Sequence, residues 1–286
     1  MNTLLKRWVA GARSGVSGSV PTAPTRFSTL GAKCAVFLCG GGLLFLREVP
    51  TSHTTLENSL LDTLPLLVRA AVAAACERVR LSYRATIYDL GGPISFLYFP
   101  IDAVISVVTV MRDGTQIEVV TIGREGVTGA QVLLDGGVAT ALTWCQVAGE
   151  AYRIDVAAFR RLCEAHPEFR AIAERFLSAQ LDVMAQAIAC NRLHYVSERC
   201  ARWLLMTYDR VGRADFPLTH EALATMLGVR RAGVSIAAAA LQQAGFIRYV
   251  RGKFTVIDRA GLETASCECY GANNEALSRR LYAIAV

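Results

Sequence analysis

The sequence has few of the features that mark an enzyme. It contains no phosphate-binding loop, no nucleophile elbow and no dinucleotide-type glycine pattern. Metal-dependent oxygenases built on small barrels need histidine and carboxylate ligands that converge inside the barrel. Glu118 and Glu125 lie in the segment rich in β-branched residues, but we interpret both as surface positions of strands. The four histidines lie outside that segment, at His53, His166, His194 and His220. We therefore expect no catalytic residues and no enzymatic activity.

A membrane-spanning run is also missing. The apolar run CAVFLCGGGLLFL at 34–46 has 13 residues, whereas a bilayer-spanning helix needs about 20. Basic residues precede this run, as in a signal peptide, but no small-residue cleavage site follows it. We interpret residues 1–54 as a poorly ordered basic extension and expect no membrane partner. A signal peptide and a membrane anchor through 34–46 are the alternatives.

Clustered cysteines are the third absence. Nine cysteines are spread irregularly along 286 residues, and no two have the CxxC spacing of zinc or iron–sulfur ligands. We interpret them as mostly reduced, buried small side chains of a cytoplasmic protein. The close pairs Cys34/Cys39 and Cys267/Cys269 are weak candidates for metal or redox chemistry. The sequence thus predicts no metal and no cofactor.

Lysine is absent between residues 51 and 190, and the positive charge is unevenly distributed. The net charge is +5 for residues 1–50, −4 for 51–190 and +5 for 191–286. An acidic middle beside a basic C-terminal region indicates that the C-terminal region is the one that meets a polyanion.

The middle of the chain changes from helical to strand-like patterning. Residues 55–81 have helical apolar spacing interrupted by Pro65, which predicts two short helices. Two β-branched runs, 104–111 and 116–122, flank an Asp-Gly turn typical of a hairpin. A further strand pair is predicted at 139–148 and 150–155, hinged at Gly149. Several short strands without helices between them predict an antiparallel sandwich or barrel.

A long helix is predicted after Pro167, because apolar residues recur there at alternating steps of three and four. We call these residues the predicted seam and expect them to form a dimer contact, with packing onto the chain's own barrel as the alternative. They are Phe169, Ile172, Phe176, Ala179, Val183 and Ala187.

The segment 218–262 has the pattern of a helix-turn-helix. Thr219 can cap a first helix, and Gly228 is placed to end it. A helix-turn-helix needs a small residue at the helix crossing, a glycine four positions later and an apolar residue six further on. Ala224, Gly228 and Val234 meet these three requirements.

A hairpin with a basic tip follows directly, in FIRYVRGKFTVID, and would form a wing. The start of the second helix would enter the major groove, where arginine pairs with guanine. We assign Arg231 to base reading and Arg230 to a base or a phosphate. Ser235 would touch a phosphate or a base edge, with a purely structural role as the alternative. Arg251 and Lys253 would contact phosphates without reading sequence.

With these motifs in this order, the chain resembles the Crp/Fnr family of bacterial transcription regulators over about residues 56–270. YFPIDAVISVV and DGTQIEVVTIGREGVTG resemble its cyclic-nucleotide-binding-type β-roll, and LTHEALATMLGVRRAGVSIAAAALQQAGFI resembles its winged helix. CNRLHYVSERCARWLLMTYDRV resembles the helix leading into the winged domain. The resemblance implies an α+β fold, with an antiparallel, jelly-roll-like β-roll sensor domain (55–165), a dimerisation helix (166–190) and a winged helix-turn-helix domain (191–286). It also implies a homodimer on a palindromic operator of double-stranded DNA, RNA polymerase as a further partner and a small-molecule effector that the sequence does not identify.

Two departures from the family pattern limit what carries over. In nucleotide-binding members a Gly-Glu pair and a later arginine beside a small hydroxyl residue hold the phosphate. Here Gly126 is followed by Val127, and Val138 stands at the arginine position, before Ala139 and Thr140. A buried phosphate would lack its charge partner, so we expect no ordinary cyclic-nucleotide binding; an atypical phosphate pocket is the alternative.

The second departure lies in the recognition helix. Ala232 and Ile236 replace a glutamate and an arginine that relatives often use, so we expect a different operator.

Overall fold

The computed structural model describes residues 56–134 and 137–282. The predicted N-terminal extension and the candidate anchor at 34–46 lie outside these residues, and so do Cys34 and Cys39.

Eight α-helices and ten strands make up the described chain. The helices are α1 Leu66–Ala75, α2 Val156–Ala165, α3 Pro167–Leu193, α4 Val196–Val211, α5 His220–Leu227, α6 Arg231–Gln243, α7 Arg259–Thr264 and α8 Cys269–Leu281. The strands are β1 Glu77–Leu81, β2 Thr86–Tyr88, β3 Phe96–Pro100, β4 Val104–Val110, β5 Gln116–Ile122, β6 Leu142–Val147, β7 Gly149–Asp155, β8 Asp215–Pro217, β9 Ile247–Val250 and β10 Lys253–Val256. Single turns of 3-10 helix lie at Leu61–Thr63 and Ala130–Leu133.

The predicted α+β class is confirmed. A three-stranded sheet (β1-β7-β3) and a four-stranded sheet (β2-β6-β4-β5) form the β-roll, and all their pairings are antiparallel. A third sheet, β8-β10-β9, belongs to the C-terminal region. Between β5 and β6 the chain makes a 3-10 turn that the sequence did not predict.

The predicted pair of strands around Gly149 differs from the observed one. β6 pairs with β2 and β4, whereas β7 pairs with β1 and β3, so the two strands belong to different sheets. Gly149 makes this crossing possible, because a Cβ at that position would lie 2.5 Å from the backbone nitrogen of Ala103. A periodicity of two identifies strands but does not say which partners they choose.

The helical prediction for 55–81 was wrong in its last part. The chain is helical in α1 but extended in β1, whose sequence ERVRL alternates charged and apolar residues. Strand β1 pairs with β7, and Arg78 contacts Glu150 across the two strands at 2.5 Å. Alternation of this kind is the pattern of a half-buried strand.

The predicted seam packs inside the chain, which was the alternative interpretation. Phe169 lies against Phe99 and Phe159, with ring centroids 6.2 and 5.3 Å away. Phe176 contacts Gly126 so closely that a Cβ there would lie 2.2 Å from its ring. Ile172, Ala179 and Val183 are also buried, and Ala187 is partly buried.

A different stripe of α3 is formed by Leu177, Leu181, Met184 and Ile188, and we call it the outer stripe. Leu177 and Met184 are partly buried, whereas Leu181 is 64 % and Ile188 74 % exposed. The stripe also has steps of four, three and four, so the spacing alone does not distinguish the two faces.

The C-terminal region contains the winged helix and two further helices. Its core includes Leu204, Phe216, Leu223, Val234 and Phe254. Helix α8, which the sequence did not predict, packs back along α3, and Arg280 pairs with Asp182 at 3.1 Å. Leu281 is buried in the core of the β-roll.

No single helix in the described ranges is both long and apolar enough to cross a membrane. Helices α5 and α6 meet that test only when joined across their 110° bend.

Candidate nucleic-acid interface and effector cavity

Helices α5 and α6 are joined by a tight turn at Gly228. The Thr219 hydroxyl accepts a hydrogen bond from Ala222 N–H at 3.1 Å and so caps α5. Gly228 ends α5 in the left-handed conformation, with φ of 62°, which favours glycine. Ala224 and Val234 are both buried where the two helices meet. The structure thus brings the three positions singled out in the sequence into one helix crossing.

The beginning of α6 presents two exposed cations. Arg230 occupies the N-cap position, and Arg231 is the first helical residue. The Arg231 side chain is 69 % exposed, and its one ion pair among the described residues is a loose contact, 3.9 Å from Glu221. One turn further along, Ile236 is 72 % exposed. The exposed start of α6 is therefore basic and then apolar.

Ser235 has a different environment from the one expected. Its hydroxyl lies 3.0 Å from Nδ1 of His220, at the start of α5. The His220 ring stacks on Tyr249 of the wing, with centroids 4.1 Å apart. Burial, followed by the charge of Arg231, lowers the pKa of His220. His220 thus ties α5, α6 and the wing together, a role that the sequence analysis missed because the three segments are distant in the chain.

The wing is a two-residue hairpin. Arg251 and Gly252 both have positive φ, 49° and 78°, as a type I′ turn requires. Arg251 is exposed at the tip. Lys253, the first residue of β10, forms an ion pair with Asp215 of β8 while remaining 55 % exposed. One of the two predicted phosphate contacts therefore already has an acidic neighbour.

The β-roll contacts the helix-turn-helix through strand β5. Ile117 packs so close to Gly228 that a Cβ on the glycine would lie 2.7 Å from the isoleucine Cδ1. A neighbouring contact joins Glu118 to Trp203 of α4, whose indole N–H donates at 2.8 Å. Ser106 donates to the same carboxylate at 2.6 Å.

A second polar contact joins Arg210 of α4 to Glu125 and Thr121, each at 2.8 Å. The interpretation of Glu118 and Glu125 as surface positions was wrong. Both carboxylates hold the β-roll against α4, and burial of the Glu118 carboxylate raises its pKa.

A cavity of about 260 Å³ lies between the β-roll and α3. Among the described residues, its lining is mostly apolar and contains no charged side chain; the polar side chains are Thr128, Gln131, Thr140, Thr143 and Gln180. Leu177, Leu181 and Met184 of the outer stripe close one side of it.

Two of the five predicted pocket residues, Val127 and Thr140, line this cavity. Gly126 lies under Phe176 instead. Ala139 is buried in the loop, where its backbone bonds to Gly91 and Gly92, and Val138 is 51 % exposed.

Comparison with known proteins identifies a Crp-like helix-turn-helix domain at residues 198–265. No curated protein sequence matches the chain. The fold resembles FixK2 from Bradyrhizobium japonicum, with 14% identity, a TM-score of 0.57, and coverage of 67% of this chain and 98% of FixK2.

It also resembles two further solved structures. One is TTHB099, a Crp-family transcriptional regulator from Thermus thermophilus, with 23% identity, a TM-score of 0.56, and coverage of 66% of this chain and 96% of the other. The other is a Crp/Fnr-family regulator from Eubacterium rectale, with 14% identity, a TM-score of 0.55, and coverage of 73% and 98%.

Proposed function

We propose that this chain, which carries a Crp-like helix-turn-helix domain on a fold of the Crp/Fnr type, is a transcription regulator that reads a palindromic operator as a homodimer. The observation that carries the proposal is the pair of exposed arginines at the start of α6, beside a basic wing tip. We further propose that the protein is not an enzyme and acts in the cytoplasm. RNA polymerase is its expected second partner.

The roles of the DNA-contacting residues follow from their exposure. Arg231 is free to pair with O6 and N7 of guanine, and Arg230 reaches a base or a phosphate. Ile236 is exposed and apolar, which suits contact with a thymine methyl group. Ser235 acts mainly through His220, which positions α6 against the wing. Arg251 and Lys253 contact phosphates.

The outer stripe is the proposed dimer contact. Two copies of α3 that pair through Leu181, Met184 and Ile188 would bury two exposed side chains, Leu181 and Ile188, and the accessible part of Met184. The two recognition helices would then face half-sites about 34 Å apart, or one helical turn.

The effector that fits the cavity is an apolar or neutral molecule. A cyclic nucleotide carries an anionic phosphate, and the described residues of the cavity lining offer it no cation. Leu181 and Met184 belong both to the cavity lining and to the outer stripe. Strand β5 contributes Val120 and Ile122 to the cavity and Ile117 to the helix-turn-helix contact. A bound ligand could therefore change the arrangement of the paired DNA-binding domains in two ways, through the α3 dimer contact and through strand β5.

Selection of bound sequences from random DNA by the purified full chain tests the proposal. We expect a palindromic consensus with two half-sites one turn apart. Enrichment of a single unpaired half-site would overturn the proposal that the protein binds DNA as a dimer. No enrichment of any sequence would overturn the proposal of sequence-specific DNA binding.

The dimer contact has its own test in the double variant Leu181→Glu/Ile188→Glu. We expect a monomer in sedimentation and loss of two-site binding. Leu66→Glu/Leu67→Glu places the same two charges on leucines of α1 that are 61 % and 85 % exposed, and should leave the dimer intact. A dimer that survives the double variant would contradict the assignment of the outer stripe.

A further inference from the structure

Four side chains with metal-ligating atoms meet at the C-terminal end of α3. Cys190 and His194 come from that end, Cys267 precedes α8, and Cys269 is the first residue of α8. One ligand atom from each side chain lies within 4.8 Å of all the others. The three cysteines are buried and form a cluster of their own. They come together only in the fold, since Cys190 and Cys267 are 77 positions apart.

The distances within the cluster fit a tetrahedral ion. Zinc–sulfur bonds of about 2.3 Å and zinc–nitrogen bonds of about 2.0–2.1 Å put two sulfurs about 3.8 Å apart and a sulfur and a nitrogen about 3.5 Å apart. Here Sγ of Cys190 and Sγ of Cys267 are 3.6 Å apart. Sγ of Cys269 lies 3.4 Å from Nδ1 of His194. Little movement would be needed to place all four atoms around one ion.

Two buried guanidinium groups interact electrostatically with the cluster. Arg199 and Arg202 on α4 are both buried, and within the described ranges neither has a carboxylate at ion-pair distance. Among the described residues, the Nε atoms of both guanidinium groups have no hydrogen-bond partner, although Nη2 of Arg199 donates to Asn191 and to the Leu227 carbonyl. Three thiolates around a divalent cation carry a net charge of about −1, which would offset one of the two buried positive charges.

Two further side chains lie next to the candidate ligands, Gln186 beside Cys269 and Glu268 beside His194. Nε2 of Gln186 donates to Sγ of Cys269 at 3.0 Å. The Glu268 carboxylate lies 3.8 Å from Nε2 of His194, on the side of the ring away from the sulfurs. A carboxylate behind a ligating histidine fixes the ring and its tautomer.

We propose that Cys190, His194, Cys267 and Cys269 bind one divalent zinc ion through three thiolates and the Nδ1 atom of a neutral imidazole. Binding displaces the protons of those cysteines that are still thiols, and no electron is transferred. Four protein ligands leave no open position, so the ion is structural. It fastens α8 to the end of α3, where α4 and the DNA-binding domain begin. The site does not depend on the DNA-reading proposal.

Metal analysis of the full chain, purified without chelator or a metal-binding tag, is the first test. We expect about one zinc per chain, and less than about a tenth of that in Cys190→Ser and Cys267→Ser. Cys76→Ser is the matched control, because Cys76 lies at the end of α1 outside the cluster. It should keep the full zinc content.

Cobalt substitution keeps the test independent of whether the variants fold. The wild-type chain, stripped of metal and titrated with Co²⁺, should give the absorption bands of tetrahedral cobalt thiolate at one equivalent. Absence of zinc both as isolated and after zinc addition would overturn the proposal. A Cys190–Cys267 disulfide in metal-free protein prepared with reductant, or an iron–sulfur chromophore, would also overturn it.

Discussion

The cavity between the β-roll and α3 and the exposed start of α6 differ in the charge that they offer to a phosphate group. In nucleotide-binding members of the resembled family both places meet phosphate groups. In the part of the chain that the structure describes, the cavity lining holds no charged side chain, whereas Arg230 and Arg231 are exposed at the start of α6 and make one loose ion pair, between Arg231 and Glu221. An exposed cation keeps its hydration until DNA displaces it, while a buried phosphate without a cation would lose its solvation uncompensated. Under the proposed function, the chain would therefore recognise phosphate groups at its surface and not in its interior.

Of these substitutions, the replacement of Arg231 should have the largest effect on DNA binding. Arg231→Ala should lose about 1–3 kcal/mol of discrimination between the operator and random DNA, because bidentate pairing with guanine is lost. Titration of both DNAs in the same salt measures this difference. Arg279→Ala removes the same charge from an exposed position of α8 and should change neither affinity. Equal losses on operator and random DNA would show that Arg231 contacts phosphate only.

Lys253 tests the sequence-independent part of the same surface. Lys253→Ala should weaken binding to all DNA and lower the slope of log affinity against log salt by about 1. Asp215→Asn should do the reverse, since it removes the acidic partner of Lys253. Salt titrations of both variants on random DNA make the measurement. If Asp215→Asn leaves affinity unchanged, Lys253 does not face the phosphates.

Cyclic nucleotides test the other half of the comparison. Calorimetry with cyclic AMP and cyclic GMP should show no saturable binding tighter than about 1 mM. The described residues of the cavity lining are threonine, glutamine and apolar residues, and they give the nucleotide phosphate no counter-charge. Saturable binding would break the comparison and would establish the alternative, an atypical phosphate pocket.

The sequence predicted the helix-turn-helix crossing better than the packing of α3 for a physical reason. Ala224, Gly228 and Val234 lie within eleven residues, so one helix crossing determines all three, and local spacing is enough. The face of α3 was misassigned because Phe176 and Leu181 belong to stripes with similar spacing, and only the position of the β-roll decides which stripe is buried. The cysteine cluster was missed because Cys190 and Cys267 are distant in sequence. Long-range pairing is what periodicity does not encode.

Replacing Glu118 should have the smallest effect of these substitutions, and the effect should be on stability and not on DNA binding. Glu118 is a carboxyl group that the chain does bury, so it tests the interior half of the comparison. Burial raises the pKa of Glu118 above its ordinary value of 4.5, against opposing hydrogen bonds from Ser106 and Trp203. The folded chain therefore binds this proton more tightly than the unfolded chain does. Its contribution to stability is full below pH 4.5 and is lost as the pH rises through the raised value. Glu118→Gln should remove this part of the pH dependence of the urea midpoint, whereas Glu164→Gln, on the exposed side of α2, should keep it. An unchanged pH profile in Glu118→Gln would mean that this carboxylate is solvated, and that the contact between β5 and α4 opens in solution.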